Sequence, residues 1–108
     1  MSRKVRITIR DTLAMWNDDV GSYLFNPDNA RSYTTELELP DEEFSGNVLT
    51  DQAVERVFTK VYGAGWRGGN SDGSRYQVLE TRLDILSGEG AGNSSIRTEP
   101  SRTWKPAT

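Results

Sequence analysis

The chain has 108 residues, a length typical of one domain with a modest core, and its 13 basic and 16 acidic residues give a formal net charge of −3. It contains neither histidine nor cysteine, which excludes the usual zinc sites, disulfide frameworks and Ser-His-Asp or Cys-His catalytic groups. No apolar stretch approaches the ~18 residues that a membrane span needs. We therefore expect a non-enzymatic, soluble, cytoplasmic protein that uses no metal or cofactor.

The charges are distributed unevenly along the chain. Between Asp11 and Glu55 there are eleven carboxylates and one basic residue, Arg31, which is a local net charge of −10. The first ten residues carry four basic groups and no acid, and residues 56–108 carry eight basic groups against five acids. Such polarisation bears on the choice of partner rather than on the fold.

The first quarter of the chain predicts two strands. Residues 3–10 alternate apolar and polar side chains, the pattern of a strand with one buried face and a basic outer face. Residues 11–19 fit either one turn of helix or a loop, and the pattern does not decide between them. Residues 20–25 are apolar and aromatic and predict a second strand, after which the turn formers at 26–29 reverse the chain.

A third strand and one helix follow. Residues 33–39 alternate apolar with polar or acidic side chains up to Pro40, and we expect this strand to form an antiparallel hairpin with the second. The clearest helix begins after an N-cap at Thr50 or Asp51 and ends at Gly63, because its apolar residues recur at helical spacing.

The remaining segments complete a predicted α+β fold. Residues 63–75 contain five glycines and predict a loop, and residues 76–86 alternate as a last strand. The order β-β-β-α-β predicts a domain over residues 1–86, with a small antiparallel sheet of about four strands and one amphipathic helix on a face. Residues 87–108, rich in Gly, Ser and Pro, predict an extended tail, flexible or docked on a partner.

The first candidate site is an acidic face around the third strand, with a contribution from the segment before the second strand. Carboxylates spaced like nucleic-acid phosphates would occupy a basic surface of a partner protein, such as its nucleic-acid-binding groove. The alternative is a solvated face paired with the basic side of the first strand. A pI of about 4.9 argues against direct binding of nucleic acid. The predicted partner-binding residues are Asp18, Asp19, Glu36, Glu38, Asp41, Glu42 and Glu43.

The second candidate site is the glycine-rich loop. Its residues 63–68 match the letters of the dinucleotide fingerprint GxGxxG, but they follow a helix and precede a strand, the reverse of the required context. The same loop holds Trp66 and Arg67, with Arg75 just after it. Tryptophan beside arginine is typical of binding hot spots, so we predict a secondary binding loop for an anionic ligand.

The tail carries the third candidate, Trp104, as an anchor for a pocket in the same chain or in another subunit. The leading hypothesis is an inhibitor or adaptor that occludes a basic partner through its acidic face, a class that includes phage and plasmid anti-defence proteins. One alternative is an assembly protein that forms homo-oligomers through its tail. The other is a small anionic-ligand binder that uses the glycine-rich loop.

Overall fold

The computed structural model describes residues 1–66 and 72–98. In chain order the elements are β1 (Ser2–Asn17), β2 (Ser22–Leu24), β3 (Arg31–Pro40), β4 (Phe44–Ser45), β5 (Val48–Leu49), α1 (Asp51–Tyr62), β6 (Ser74–Ser87) and β7 (Ser94–Thr98). One-turn 3-10 helices at Pro27–Asn29 and Asp41–Glu43 precede β3 and β4. In this part of the chain no helix has the length and apolar character that crossing a membrane requires.

The strand β1 organises the sheet. One of its edges pairs with β3 along Ser2–Asp11 and with β2 along Met15–Asn17, and its other edge pairs with β6, which in turn pairs with β7. All these pairings are antiparallel, and β4 and β5 form a separate small hairpin. The predicted small α+β fold, an antiparallel sheet with one helix, is confirmed, and the sheet is curled. The predicted hairpin of the second and third strands is wrong, because β1 is long enough to pair with each of them separately.

The continuation of β1 to Asn17 replaces the helix or loop that its sequence pattern allowed. A register shift against β6 falls immediately before Asp11, as at a β-bulge, which locally interrupts the regular pairing of a ladder. Beyond the shift Asp11, Thr12 and Ala14 are buried, whereas Leu13 and Met15 are about half exposed. Polar and small residues thus take the buried positions, so the apolar alternation that marks a half-buried strand is absent there.

The helix α1 covers one face of the sheet. It begins after Thr50, whose side chain accepts a hydrogen bond from the amide of Ala53 at 3.2 Å, and it ends before Gly63, whose φ of 95° suits glycine. Both ends agree with the predicted caps. Its buried side chains pack against apolar residues of β1 and β6. The central members of this core are Val5, Ile7, Ile9, Val54, Val57, Phe58, Leu83 and Ile85.

Arg3 ties the start of β1 to three turns. Its buried guanidinium pairs with Asp41 at 3.0 Å and with Glu89 at 3.4 Å, and it donates to the carbonyl of Gly46 at 3.0 Å. Its central carbon also lies 4.2 Å from the centre of the Phe44 ring. A buried charge needs this many partners, so Arg3 serves as a structural clasp at this end of the molecule.

The sheet extends into the segment predicted as a tail. The predicted boundary at residue 86 falls at the end of β6, and β7 pairs with β6 from Glu80↔Thr98 to Asp84↔Ser94. The strand β7 has the sequence SSIRT, in which the single apolar residue, Ile96, stays largely exposed. Such a segment carries no periodic apolar signal for a strand. Residues 99–108, and with them the predicted anchor Trp104, lie outside the described residues.

Candidate functional site

A cleft of about 540 Å³ opens between the C-terminal end of α1 and the sheet. Its volume lies within the range of roughly 300–1,000 Å³ that small-ligand sites occupy. The helix side is formed by Val61, Tyr62, Gly65 and Trp66. The sheet side is formed by Asp11, Arg31, Tyr33, Arg75 and Tyr76.

Asp11 is the buried polar centre of the cleft, with a side chain only 1% exposed. One carboxylate oxygen, Oδ1, accepts a hydrogen bond from Nε of Arg31 at 2.7 Å. The other, Oδ2, accepts a hydrogen bond from the hydroxyl of Tyr62. A buried carboxylate is tolerated only when its charge is compensated in this way, so these three side chains form one structural unit.

Arg31 is held in place by Asp11 but stays accessible. It begins β3 directly opposite Asp11 on β1, and its guanidinium carbon lies 4.4 Å from the centre of the Tyr76 ring. The hydrogen bond with Asp11 is the main cause that raises the pKa of Arg31 above its ordinary value. The side chain is nevertheless 57% exposed, and its two terminal Nη groups make no hydrogen bond within residues 1–66 and 72–98.

Tyr62 completes the unit from the helix side. Burial, followed by the hydrogen bond to Asp11, raises the pKa of its phenol well above the ordinary value. The phenol therefore stays protonated at neutral pH and remains a donor to the carboxylate. Its ring stacks on Tyr76 with centroids 5.7 Å apart and an interplanar angle of 25°, which ties the end of α1 to β6.

The secondary binding loop contributes to the same cleft. The indole Nε1 of Trp66 donates to the hydroxyl of Thr59 at 3.0 Å, and its ring meets Phe58 edge-on with centroids 5.5 Å apart. Arg75 is buried and lies 4.5 Å above the Tyr23 ring. The structure thus brings two of the three predicted loop residues, Trp66 and Arg75, into one cleft. Arg67 lies outside the described residues.

The sequence-based prediction missed the centre of this cleft, which consists of Asp11, Arg31, Tyr62 and Tyr76. One signal was available, because Arg31 is the single basic residue among eleven carboxylates between Asp11 and Glu55. Arg31 therefore has several carboxylates nearby in the sequence that could be its ion-pair partner. The identity of that partner depends on the fold, which brings residues 11 and 31 together across two strands.

The predicted acidic face is divided by the fold. Glu36 and Glu38 lie on β3 opposite Arg6 and Lys4 of β1, and the acidic turn 41–43 follows directly. Asp18 and Asp19 follow the opposite end of β1. Eleven residue steps along β1, from Arg6 to Asn17, separate Glu36 from the segment of Asp18 and Asp19, which is about 36 Å in a straight strand at about 3.3 Å per residue.

Most carboxylates of the predicted acidic face contact a cation or a donor of the same chain. Glu36 lies 3.7 Å from Nζ of Lys4 and 3.3 Å from Nη2 of Arg6. The other contacts are Asp41 with Arg3, Glu43 with Arg56, Glu38 with the Ser2 hydroxyl, and Asp18 with the Trp16 indole. Such pairing reduces the field available to a partner, which favours the alternative of a solvated, internally paired face.

The groups of the cleft are suited to binding. Among residues 1–66 and 72–98, one carboxylate lines the cleft, that of Asp11, and it is engaged by Arg31 and Tyr62. In the same part of the chain no three acidic side chains lie close enough together to hold a metal ion. Aromatic rings and two guanidinium groups make up most of the remaining lining. Comparisons of the chain with protein-family models, with curated proteins and with solved structures find no match.

Proposed function

We propose that this protein binds a small organic anion in the cleft between α1 and the sheet. The observation that carries the proposal is the state of Arg31. Its Nε is engaged by a carboxylate that is 1% exposed, while the side chain itself is 57% exposed. The cation is oriented by the fold and still available to a ligand.

Orientation before binding is what makes such a cation effective. A flexible surface arginine loses rotamer freedom when it captures an anion, and this loss opposes binding. The contacts of Arg31 with Asp11 and with the Tyr76 ring have already restricted that freedom. When a ligand accepts two charge-assisted hydrogen bonds from the Nη groups, less of the free energy of these bonds is therefore offset by ordering the side chain.

The proposal is tested by a ligand-observed NMR screen with acids, amides and amines of matched size, followed by mapping of backbone amide shifts. We expect organic acids to be the class that binds, with shifts centred on Asp11, Arg31 and Trp66. Arg31→Gln should abolish these shifts, whereas Arg82→Gln, which removes a cation on the exposed face, should leave them unchanged. A screen in which acids do not bind, or in which they shift residues outside the cleft, would overturn the proposal.

Docking of the acidic face on a basic partner stays a prediction, and the ion pairs dictate how it should be tested. Reversing the charge of Asp41 would also replace the nearest carboxylate partner of the buried guanidinium of Arg3 with a like charge, so the fold itself would be perturbed. Glu42 is exposed and makes no ion pair in the described part of the chain. Glu42→Lys should therefore weaken a salt-sensitive interaction without destabilising the protein. Assembly through Trp104 and the tail likewise stays a prediction.

A further inference from the structure

We infer that the ligand of the cleft is an aromatic monocarboxylate, an inference that rests on the proposed function and adds the chemical class. Charge is the first argument. Among the described residues of the lining, the charged side chains are Arg31, Arg75 and Asp11, and the carboxylate of Asp11 is buried and already paired with Arg31. A ligand with one negative charge places less repulsion beside this buried carboxylate than a phosphate dianion or a polyphosphate would.

The hydrogen-bonding geometry of Arg31 is the second argument. Asp11 occupies the Nε position, so the donors that remain are the two Nη groups at the end of the guanidinium plane. Two parallel N–H groups in one plane match the two oxygens of a carboxylate, which accepts a bidentate pair. The carboxylate of the ligand would therefore bind in the plane of the guanidinium, on the side remote from Asp11.

The aromatic lining is the third argument. Tyr33 stands on the sheet side and is about half exposed, and Trp66 stands on the helix side with its ring fixed by Thr59 and Phe58. Tyr76 already carries the guanidinium of Arg31 on its ring. Aromatic side chains favour a flat ring over a saturated body of the same size, because stacked and edge-on contacts add to the burial of apolar surface.

The inference is tested by calorimetric titration with naphthalene-2-carboxylate and three analogues that each change one property. Naphthalene-2-carboxamide removes the charge and should bind roughly 10- to 100-fold more weakly, since it forfeits the charge-assisted pair. Decalin-2-carboxylate removes aromaticity and should bind about 3- to 10-fold more weakly. Naphthalen-2-yl phosphate adds a second charge at pH 8 and should bind more weakly than the carboxylate.

The matched variants are Arg31→Lys, which keeps the charge but removes the planar pair of donors, and Arg6→Lys, which makes the same change outside the cleft. Arg31→Lys should reduce the preference for the carboxylate over the carboxamide by about tenfold or more. Arg6→Lys should leave the preference unchanged. Thermal melts establish that both variants are folded, and if Arg31→Lys is not, Tyr33→Leu should remove the preference for naphthalene over decalin.

The outcomes separate the ligand class from the proposed function. Equal affinity for the carboxylate and the carboxamide, or tighter binding of the phosphate, would overturn the inferred class while the cleft remains a ligand site. Failure of all four compounds, with other organic acids still shifting the cleft residues in the NMR screen, would overturn the class in the same way. The proposed function is overturned only if no organic acid in the NMR screen binds in the cleft.

Discussion

Replacement of Arg31 by glutamine is expected to destabilise the protein far more than replacement of a comparable surface arginine. The matched surface pair is Arg6 with Glu36, in which the nitrogen lies 3.3 Å from the oxygen and both side chains are 45% exposed. In the Arg31–Asp11 pair the distance is 2.7 Å, and the side chains are 57% and 1% exposed. The two arginines are similarly exposed, so the main difference between the pairs is the burial of the carboxylate. The contact of Arg31 with the Tyr76 ring and the second cation beside Glu36, Lys4, add to that difference.

The magnitudes follow from that difference. An exposed ion pair contributes about 0–1 kcal/mol, so Arg6→Gln should lower the free energy of unfolding by no more than that. Arg31→Gln leaves a buried carboxylate without its cation, a change that costs roughly 3–5 kcal/mol when no other partner remains. The hydroxyl of Tyr62 still donates to Asp11, so we expect a loss of about 2–4 kcal/mol.

Urea denaturation followed by circular dichroism measures both losses in one series. The double variant Asp11→Asn, Arg31→Gln should be more stable than Arg31→Gln alone, because it removes the unpaired buried charge. The reasoning would be refuted if Arg31→Gln and Arg6→Gln were destabilised to within 1 kcal/mol of each other, the upper range of an exposed pair. It would also be refuted if adding Asp11→Asn to Arg31→Gln did not raise the free energy of unfolding.

Three further predictions concern the pH dependence, the core and the helix start. The pKa of Tyr62 is raised in the folded state. Above pH 10.0, the ordinary pKa of the phenol, the folded state therefore keeps a proton that the unfolded state loses. The free energy of unfolding should then fall by up to about 1.4 kcal/mol per pH unit. Tyr62→Phe should make this fall shallower. Ile7→Ala, at a fully buried core position, should cost about 2–5 kcal/mol in urea denaturation. Thr50→Ala removes the side-chain cap on Ala53 and should cost about 0.5–2 kcal/mol.

Each of these expectations has a contradicting result. A free energy of unfolding that falls equally steeply above pH 10 in Tyr62→Phe and in the wild type would show that Tyr62 is not the titrating group. A loss below about 1 kcal/mol in Ile7→Ala would place this side chain outside a close-packed core. Thr50→Ser, which keeps a hydroxyl at the cap, is the control for Thr50→Ala, and an equal loss in both would argue against the cap.

Local periodicity was sufficient to predict the elements in which one face is buried throughout. The apolar side chains of β1 up to Ile9 alternate, and those of α1 recur at helical spacing between Thr50 and Gly63, so both elements were predictable. The second half of β1 was not, because polar and small residues take the buried positions and Leu13 is exposed. The strand β7 has only Ile96 as an apolar residue, so pairing with β6 rather than patterning defines it.

The candidate site was predictable only in part for a related reason. The composition of the glycine-rich loop pointed to Trp66 and Arg75. The centre of the cleft joins Asp11 to Tyr62, 51 residues further along the chain, and no local pattern links residues so far apart. Their contact depends on the packing of α1 across the sheet, which a sequence does not display. The acidic stretch was evident, and its pairing with the basic side of the first strand was one of the two alternatives that the sequence left open. Choosing between them required the register of β3 against β1, which brings Glu36 to Lys4 and Arg6.

The binding mode of the cleft should be determined by a crystal structure of the protein with naphthalene-2-carboxylate. We expect the carboxylate to lie in the cleft with both oxygens about 2.7–2.9 Å from the Nη groups of Arg31. The naphthalene ring should lie between Tyr33 and Trp66, with the contacts of Asp11 retained. A ligand bound elsewhere, or bound in the cleft with its carboxylate turned away from Arg31, would contradict the account.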